Sequence, residues 1–173
     1  MKIFIISGKA RHGKTTVANY INELLGNCAI TSYSRYIKMY ASDVSDWDGT
    51  DENKPRRFLQ DIGNFVRNGI FDDEFFIRRI DEDIKVYALY KNNAIVDDAR
   101  LPMEIDYFKE RYSNVYSIRV VRSNFDNGLS IKEKHHETEV ALDNYSNYDY
   151  TIVNDGSLSD LRDKVNKCLE DLL

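Results

Sequence analysis

The chain of 173 residues has the length of one ordinary domain, and its composition, 42% hydrophobic and 31% charged, is typical of globular rather than disordered proteins. A formal net charge of −5, with no region of dominant basic excess, argues against binding to a nucleic-acid polymer. The N-terminal apolar run, Ile3 to Ile6, is too short for a signal peptide or a membrane span, and two widely separated cysteines fit a reducing compartment, so we expect a cytoplasmic protein without a membrane partner.

Strand-like apolar runs alternate with helical patterns along the chain. Residues 2–7 (KIFIIS) are typical of a buried parallel strand, and residues 14–25 have an amphipathic helical pattern that Gly26 ends. Later strands are predicted at 29–33, 94–98, 115–121 and 150–155, and later helices at 34–41, 55–68, 73–90, from Pro102, and after Ser157 or Ser159. A polar loop is predicted at 42–55. Strands separated by helices predict an α/β fold with a mostly parallel sheet, in one domain over residues 1–173.

Residues 8–15 have the pattern Gly-x-x-x-x-Gly-Lys-Thr, placed between the first predicted strand and the first predicted helix. The glycines let backbone N–H groups surround phosphate oxygens, and the helix N-terminus adds partial positive charge. Lys14 would reach the β and γ phosphates, and the Thr15 hydroxyl would hold Mg²⁺. The pattern predicts a P-loop NTPase-type three-layer fold. Its predicted ATP-binding residues are Gly8, Arg11, His12, Gly13, Lys14, Thr15 and Thr16, with His12 contributing only its backbone.

The class of P-loop protein is narrowed by what the sequence lacks. The common GTPases read guanine with Asn-Lys-x-Asp, and neither Asn-Lys pair of this chain, at residues 53–54 and 166–167, continues in that way. Motor and helicase ATPases usually need a longer chain for their coupling elements. A kinase that phosphorylates a small molecule therefore remains, with a non-catalytic ATP-binding module as the alternative.

Several later segments carry motifs that a known family has in the same order. Residues 98–104 have the sequence DARLPME, and residues 57–63 have the sequence RFLQDIG. The first is similar to the Asp-x-Arg-x-Pro-x-Glu segment of phage and bacterial deoxynucleoside monophosphate kinases, and the second to their Arg-x-Leu-Gln-x-x-Gly helix. Residues 136–143 resemble their His-x-Ser-Glu and Leu-Asp pair, and Asn-Asp-Gly at 154–156 recurs before the final helix. The resemblance runs from residue 3 to about residue 165. Animal-type phosphomevalonate kinases share much of this layout, including Leu-Asp-Asn at 142–144.

The resemblance implies roles for individual residues. Asp98 would orient the water shell of Mg²⁺, and it is favoured over Asp97 because the family pattern places the acid immediately before x-Arg. Arg100 would hold the acceptor phosphate with its planar guanidinium, the alternative being a surface ion pair with Glu104. The predicted acceptor-side residues are Lys38, Arg57, Gln60, Arg67, Arg100 and His136.

Residues 123–147 are polar and show no helical period, and we expect them to form a mobile lid. Related kinases usually bring arginines from this segment over the transferring phosphoryl group. Here the cations are Arg122 at the base of the segment, then Lys132 and Lys134. Arg122 is therefore added to Lys14, Asp98 and Arg100 as a predicted catalytic residue.

We therefore predict transfer of the ATP γ-phosphoryl group, with Mg²⁺, to a small phosphorylated acceptor, for which the resemblance favours a (deoxy)nucleoside monophosphate. The alternatives are a phosphomevalonate-type or other small phosphate-ester kinase, and an ATP-binding module without transferase activity. The arginine-poor lid favours the module, whereas the cations Lys38, Arg57 and Arg100 favour an enzyme.

Overall fold

A computed structural model describes residues 1–50, 52–123 and 125–173, with the backbone alone at residue 70. The strands are β1 (Lys2–Ser7), β2 (Cys28–Thr31), β3 (Asn93–Ala99), β4 (Val115–Val121) and β5 (Tyr150–Val153). The helices are α1 (Lys14–Leu25), α2 (Arg35–Val44), α3 (Arg56–Phe65), α4 (Phe75–Tyr87), α5 (Pro102–Arg111), α6 (Ile131–Lys134), α7 (Glu137–Val140) and α8 (Leu158–Leu172), with a π-helical turn at Val66–Ile70. The predicted loop at 42–55 and the predicted lid each include one position, 51 and 124, outside the described residues.

The five strands form a parallel sheet in the order β2-β3-β1-β4-β5, which confirms the predicted α/β class. β1 is the central strand, and every residue from Ile3 to Ser7 is buried. A strand with buried side chains on both faces is continuously apolar, which is why residues 2–7 lack alternation. The central position of β1 also places the loop that follows it at the carboxyl edge of the sheet, where ligands of α/β proteins bind.

Helices cover both faces of this sheet. Phe4 and Ile6 pack on one face against α1 and α8, in a cluster that includes Val17 and Val165. Ile3 and Ile5 point to the opposite face, where a second cluster includes side chains of α4 and α5. The alternation of β1 side chains between the two clusters follows from the period of two in a strand. The result is the predicted three-layer arrangement. No helix in the described ranges is long and apolar enough to cross a membrane.

The structure adds detail to two predicted elements. The helix expected at 55–68 ends as an α-helix at Phe65 and continues as the π-helical turn, closed by the Phe71 N–H donating to the Val66 carbonyl at 2.9 Å. The lid segment, whose sequence shows no helical period, contains the short helices α6 and α7, capped by Ser130 and His136. A helix of four residues is only about one turn long, so it leaves no hydrophobic period in the sequence.

Candidate active site

Backbone geometry explains the two glycines of the phosphate loop. Gly13 has φ 98° and precedes α1, in the left-handed region where a side chain is strained. A Cβ atom on Gly13 would lie 2.6 Å from Asn154 Nδ2, and one on Gly8 would lie 2.4 Å from the Val120 carbonyl oxygen. The loop therefore packs tightly between the end of β4 and the chain that follows β5, which leaves space for glycine alone.

Lys14 is held inside the loop. Its Nζ donates to the carbonyl oxygens of Gly8 at 2.8 Å and Lys9 at 2.9 Å, and the residue is buried. Burial, and then the positive charge of Arg100, lower the pKa of Lys14 to about 7. A bound phosphate would offset both effects, because an opposite charge favours the protonated amine.

Two adjacent carboxylates at the end of β3 have different partners. The Thr15 hydroxyl donates to Asp97 Oδ2 at 2.9 Å, whereas Asp98 Oδ2 accepts from the Ser34 hydroxyl at 2.5 Å and the Ser34 N–H at 3.1 Å, and Asp98 Oδ1 from the Tyr33 N–H at 2.7 Å. The sequence predicts that Asp98 serves Mg²⁺ together with Thr15. Both Asp97 and Asp98 line the cavity beside the phosphate loop, but the Thr15 hydroxyl contacts Asp97, whereas Asp98 is bonded to the chain after β2. Asp97 is therefore a second candidate for the metal.

The donor set beside Thr15 fits a magnesium ion. Mg²⁺ prefers oxygen ligands and usually keeps several waters, using one or two carboxylates together with substrate phosphates. Burial, and then the charge of Asp98, raise the pKa of Asp97, a cost that a divalent cation would offset. Among the described residues there is no group of three or more His, Cys, Asp or Glu side chains that could hold a metal by themselves. This arrangement suits an ion shared with phosphates.

A cavity of about 500 Å³ opens beside the phosphate loop. It has the size of a small-molecule site. From the loop it is lined by Arg11, Gly13, Lys14, Thr15 and Thr16. Its lining also includes five of the six predicted acceptor residues: Lys38, Gln60, Arg67, Arg100 and His136.

The phase of α3 excludes Arg57 from this cavity. The Arg57 side chain is 88% exposed and lies 3.8 Å from Asp61 Oδ2 on the outer face of the helix. Arg56 lines the cavity in its place, together with Gln60, Asn64 and Arg67. The sequence alone did not decide between Arg56 and Arg57, because residues three or four positions before Gln60 can both share its face of the helix.

The sequence analysis gave no role to Arg56, Asn64 or Glu139, which line the cavity, and it favoured Asp98 over Asp97. The spacing of Arg56, Gln60, Asn64 and Arg67, by four, four and three positions, is a signal for one helical face that could have found two of them. Arg67 donates from Nη2 to Asn64 Oδ1 at 3.0 Å, which orients both polar groups.

Arg100 does not form the ion pair with Glu104 that the sequence offered as the alternative to its acceptor role. Glu104 Oε2 accepts the backbone N–H groups of Arg100 at 2.6 Å and Leu101 at 3.0 Å, and so caps the start of α5. The guanidinium of Arg100 instead donates to Glu139 Oε1 at 2.5 Å. Burial raises the pKa of Glu104 to about 7.

Arg122 and His12 lie on another side of the loop. The exposed Arg122 guanidinium lies 4.0 Å from the centre of the Phe125 ring and does not line the cavity, so the structure does not bring it to the predicted catalytic group. The His12 imidazole is buried, and its Nδ1 lies 3.2 Å from the Arg122 backbone nitrogen. Burial lowers the pKa of His12 and favours the neutral ring that can accept this N–H. His12 thus contributes its ring as well as its backbone, by joining the loop to the end of β4.

A phosphate loop between β1 and α1, an oxygen pair suited to Mg²⁺ and an adjoining cationic cavity define a kinase of the P-loop class. The sequence profile of the family described as deoxynucleotide monophosphate kinase matches residues 29–165, most of the chain. The chain belongs to this family, which confirms the resemblance found in its sequence. Because the match begins after the phosphate loop, that loop is independent support for the class.

Solved structures show the same fold. The chain is similar to shikimate kinase from Aquifex aeolicus vf5, with 15% identity over 98% of this chain and 96% of that one and a TM-score of 0.58. It is similar to dephospho-CoA kinase from Campylobacter jejuni, with 14% identity over 99% and 97% and a TM-score of 0.56. A sugar kinase from Janibacter sp. HTCC2649 has 14% identity over 98% and 95% and a TM-score of 0.59. With the family match, these similarities identify an ATP-dependent kinase that transfers a phosphoryl group to a small acceptor.

Proposed function

We propose that this kinase transfers the γ-phosphoryl group of ATP to a (deoxy)nucleoside monophosphate, with Mg²⁺ as the metal. The observation that carries the proposal is the cavity of about 500 Å³ that leads from Lys14 and Thr15 to cationic and amide side chains on α2, α3 and the end of β3. A nucleoside monophosphate has complementary parts: an anionic phosphate for the cations, and a base with hydrogen-bonding edges for the amides.

On the donor side, the phosphate loop would bind the ATP phosphates through its backbone N–H groups and Lys14. Thr15 and Asp97 would hold Mg²⁺, which neutralises charge on the β and γ oxygens when bound. The ammonium of Lys14, fixed by two carbonyl oxygens, is already oriented before ATP arrives. Preorganised charge of this kind stabilises a transition state more than the ground state, because no reorganisation is needed during transfer.

On the acceptor side, Arg100 would hold the acceptor phosphate facing the γ-phosphoryl group, supported by Lys38, Arg56 and Arg67. A phosphate monoester has a second pKa near 6, so its oxygen is already an anionic nucleophile at neutral pH. The reaction therefore needs positioning and charge stabilisation more than a general base. Gln60 and Asn64, four positions apart on the cavity face of α3, would meet the base or the sugar.

Residues 123–147 would act as a lid over the bound substrates, and we propose that they exclude water during transfer. Contacts of this segment with Lys9, Ala10 and Arg11 place it against the phosphate loop. We further propose that residues 1–173 work as one catalytic domain in the cytoplasm, where the two buried free cysteines would stay reduced.

A panel of acceptors tests this function. The protein would be incubated with ATP, Mg²⁺ and one of dAMP, dCMP, dGMP, dTMP, the four ribonucleoside monophosphates or phosphomevalonate, and ADP release would be measured. We expect release with at least one nucleoside monophosphate and a fall of at least ~10²-fold in Lys14→Ala, since that variant lacks a transition-state charge contact. Release with phosphomevalonate alone would identify the alternative kinase. ATP binding without release in any mixture would identify a non-catalytic module.

A further inference from the structure

Glu139 joins three parts of the candidate site. Its Oε1 accepts from Arg100 Nη1 at 2.5 Å, and its Oε2 accepts from the backbone N–H of Ala10 at 3.0 Å. The side chain is only 9% exposed. One carboxylate from the lid segment therefore contacts both the phosphate loop and the arginine proposed to bind the acceptor. A buried carboxylate is stable in this position because both of its oxygens have charged or N–H partners.

The lid backbone around Glu139 is fixed by its own contacts. Glu139 lies on α7, where the ring Nδ1 of His136 accepts the Thr138 N–H at 3.3 Å and caps the helix. Two further contacts join the lid segment to the loop: Lys9 Nζ donates to Asp143 Oδ2 at 2.9 Å, and Arg11 Nη1 donates to the Asn127 carbonyl oxygen at 2.8 Å. Three neighbouring positions of the phosphate loop, 9 to 11, thus contact the lid segment. The carboxylate of Glu139 is held in place before any substrate binds.

Glu139 and the ATP phosphates would use different donors of the loop. The first four N–H groups of a helix have no partner within the helix, and in P-loops they face phosphate together with N–H groups of the loop. In α1 these helical groups begin at Lys14, four positions after Ala10. Ala10 is not among the residues predicted to bind ATP. The carboxylate therefore does not occupy the donors at the start of α1.

The ion pair also restricts the guanidinium of Arg100. A guanidinium has five N–H donors in one plane, and Glu139 takes only the Nη1 side. The remaining donors stay available where Arg100 lines the cavity. Fixing one edge of a planar group sets the direction of its other edge, which lowers the entropy lost when a ligand is bound.

We propose that Glu139 is a positioning residue that orients Arg100 toward the acceptor phosphate and fixes its distance from the phosphate loop. The proposal rests on the proposed function, because it requires Arg100 to bind the acceptor. In this proposal Glu139 acts through Arg100 and not through its own contact with either substrate. Its effect reaches the reaction through the geometry of Arg100.

The test compares Glu139→Gln with Glu137→Gln, a matched control on the same helix that removes the same charge from an exposed side chain. ATP Kd would be measured by calorimetry, and acceptor KM and kcat with the best monophosphate among dAMP, dCMP, dGMP and dTMP. We expect Glu139→Gln to raise acceptor KM about tenfold and to change ATP Kd by less than about twofold, because the fault lies in acceptor geometry. Glu137→Gln should match the parent protein.

A double-mutant cycle separates positioning from a structural role. In the Arg100→Ala background, Glu139→Gln should raise acceptor KM by less than about twofold, since residues that act through one contact are not additive. Glu139→Asp keeps the charge on a shorter side chain and should recover part of the loss in acceptor KM. It replaces Glu139→Gln in the comparison if thermal melting shows that Glu139→Gln folds poorly.

Four results would overturn the inference. Tighter ATP binding with unchanged acceptor KM would mean that Glu139 competes with ATP. Full additivity with Arg100→Ala would mean that it acts independently of Arg100. An increase in acceptor KM in Arg100→Ala but not in Glu139→Gln would remove Glu139 alone, whereas an unchanged KM in Arg100→Ala would remove the proposed acceptor contact as well.

Discussion

The phosphate loop and the acceptor cavity differ in how the chain builds them. The loop consists of eight consecutive residues, 8–15, and neighbouring atoms leave no room for a Cβ atom at Gly8 or Gly13, which explains why glycine is needed there. The cavity combines side chains from α2, α3, the end of β3 and the lid segment, which are far apart in the sequence. A contiguous motif carries its own geometry, whereas an assembled cavity depends on the rotation of each helix and strand. The proposed donor site should therefore respond sharply to single changes, and the acceptor cavity more gradually.

The largest expected effect separates the two carboxylates at the donor site. Asp97→Asn should lower transfer by about 10²-fold and raise the Mg²⁺ concentration needed for half-maximal rate, because Asp97 faces Thr15. Asp98→Asn should lower the rate by less than about tenfold and reduce thermal stability instead, since one amide oxygen cannot replace the two carboxylate oxygens that accept from Tyr33 and Ser34.

Magnesium titrations of ADP release and thermal melting on both variants would check this. If Asp98→Asn lost more rate than Asp97→Asn and changed the Mg²⁺ dependence, Asp98 would be the carboxylate that serves Mg²⁺, as the sequence favours.

An intermediate effect tests the helix phase of the acceptor cavity. Arg56→Ala should raise acceptor KM about tenfold, as expected from a lost hydrogen bond to a charged group, and leave ATP affinity unchanged. Arg57→Ala removes the same side chain one position later, where the exposed ion pair with Asp61 contributes little. Acceptor KM from a coupled assay is the measurement. Equal losses in the two variants would contradict the orientation of α3.

The smallest expected effect concerns pH and the cap of α5. Glu104 has a pKa raised to about 7 by burial, above its ordinary value of 4.5, so the folded protein binds the extra proton between these values. The stabilisation of the folded protein that comes from this proton is therefore fully present below pH 4.5 and is lost as pH rises through 7. Glu104→Gln keeps an oxygen for the two backbone N–H groups and removes the titration. Relative to the parent protein, its melting temperature should gain about 3 °C between pH 5 and pH 8. A difference that stays constant across this range would contradict the raised pKa.

The local pattern by itself determined the fold class and the nucleotide loop. Parallel strands buried on both faces are apolar throughout, and Gly-x-x-x-x-Gly-Lys-Thr at a strand-to-helix junction needs no distant residue to specify its backbone. The order of later segments was sufficient to recognise the family, which the profile match over residues 29–165 confirms.

Only the tertiary structure decided which contacts neighbouring side chains make at the site. Asp97 and Asp98 both line the cavity, but the packing around the end of β3 brings Asp97 to Thr15 and Asp98 to Tyr33 and Ser34. Arg56 and Arg57 differ by about 100° around α3, and the docking of that helix turns Arg56 inward. Glu139 reaches Arg100 across 39 positions because the lid segment folds back on the phosphate loop, a contact that no local period encodes. Adjacent residues of one chemical type look equivalent in a sequence, and the directions of their side chains are set by long-range packing.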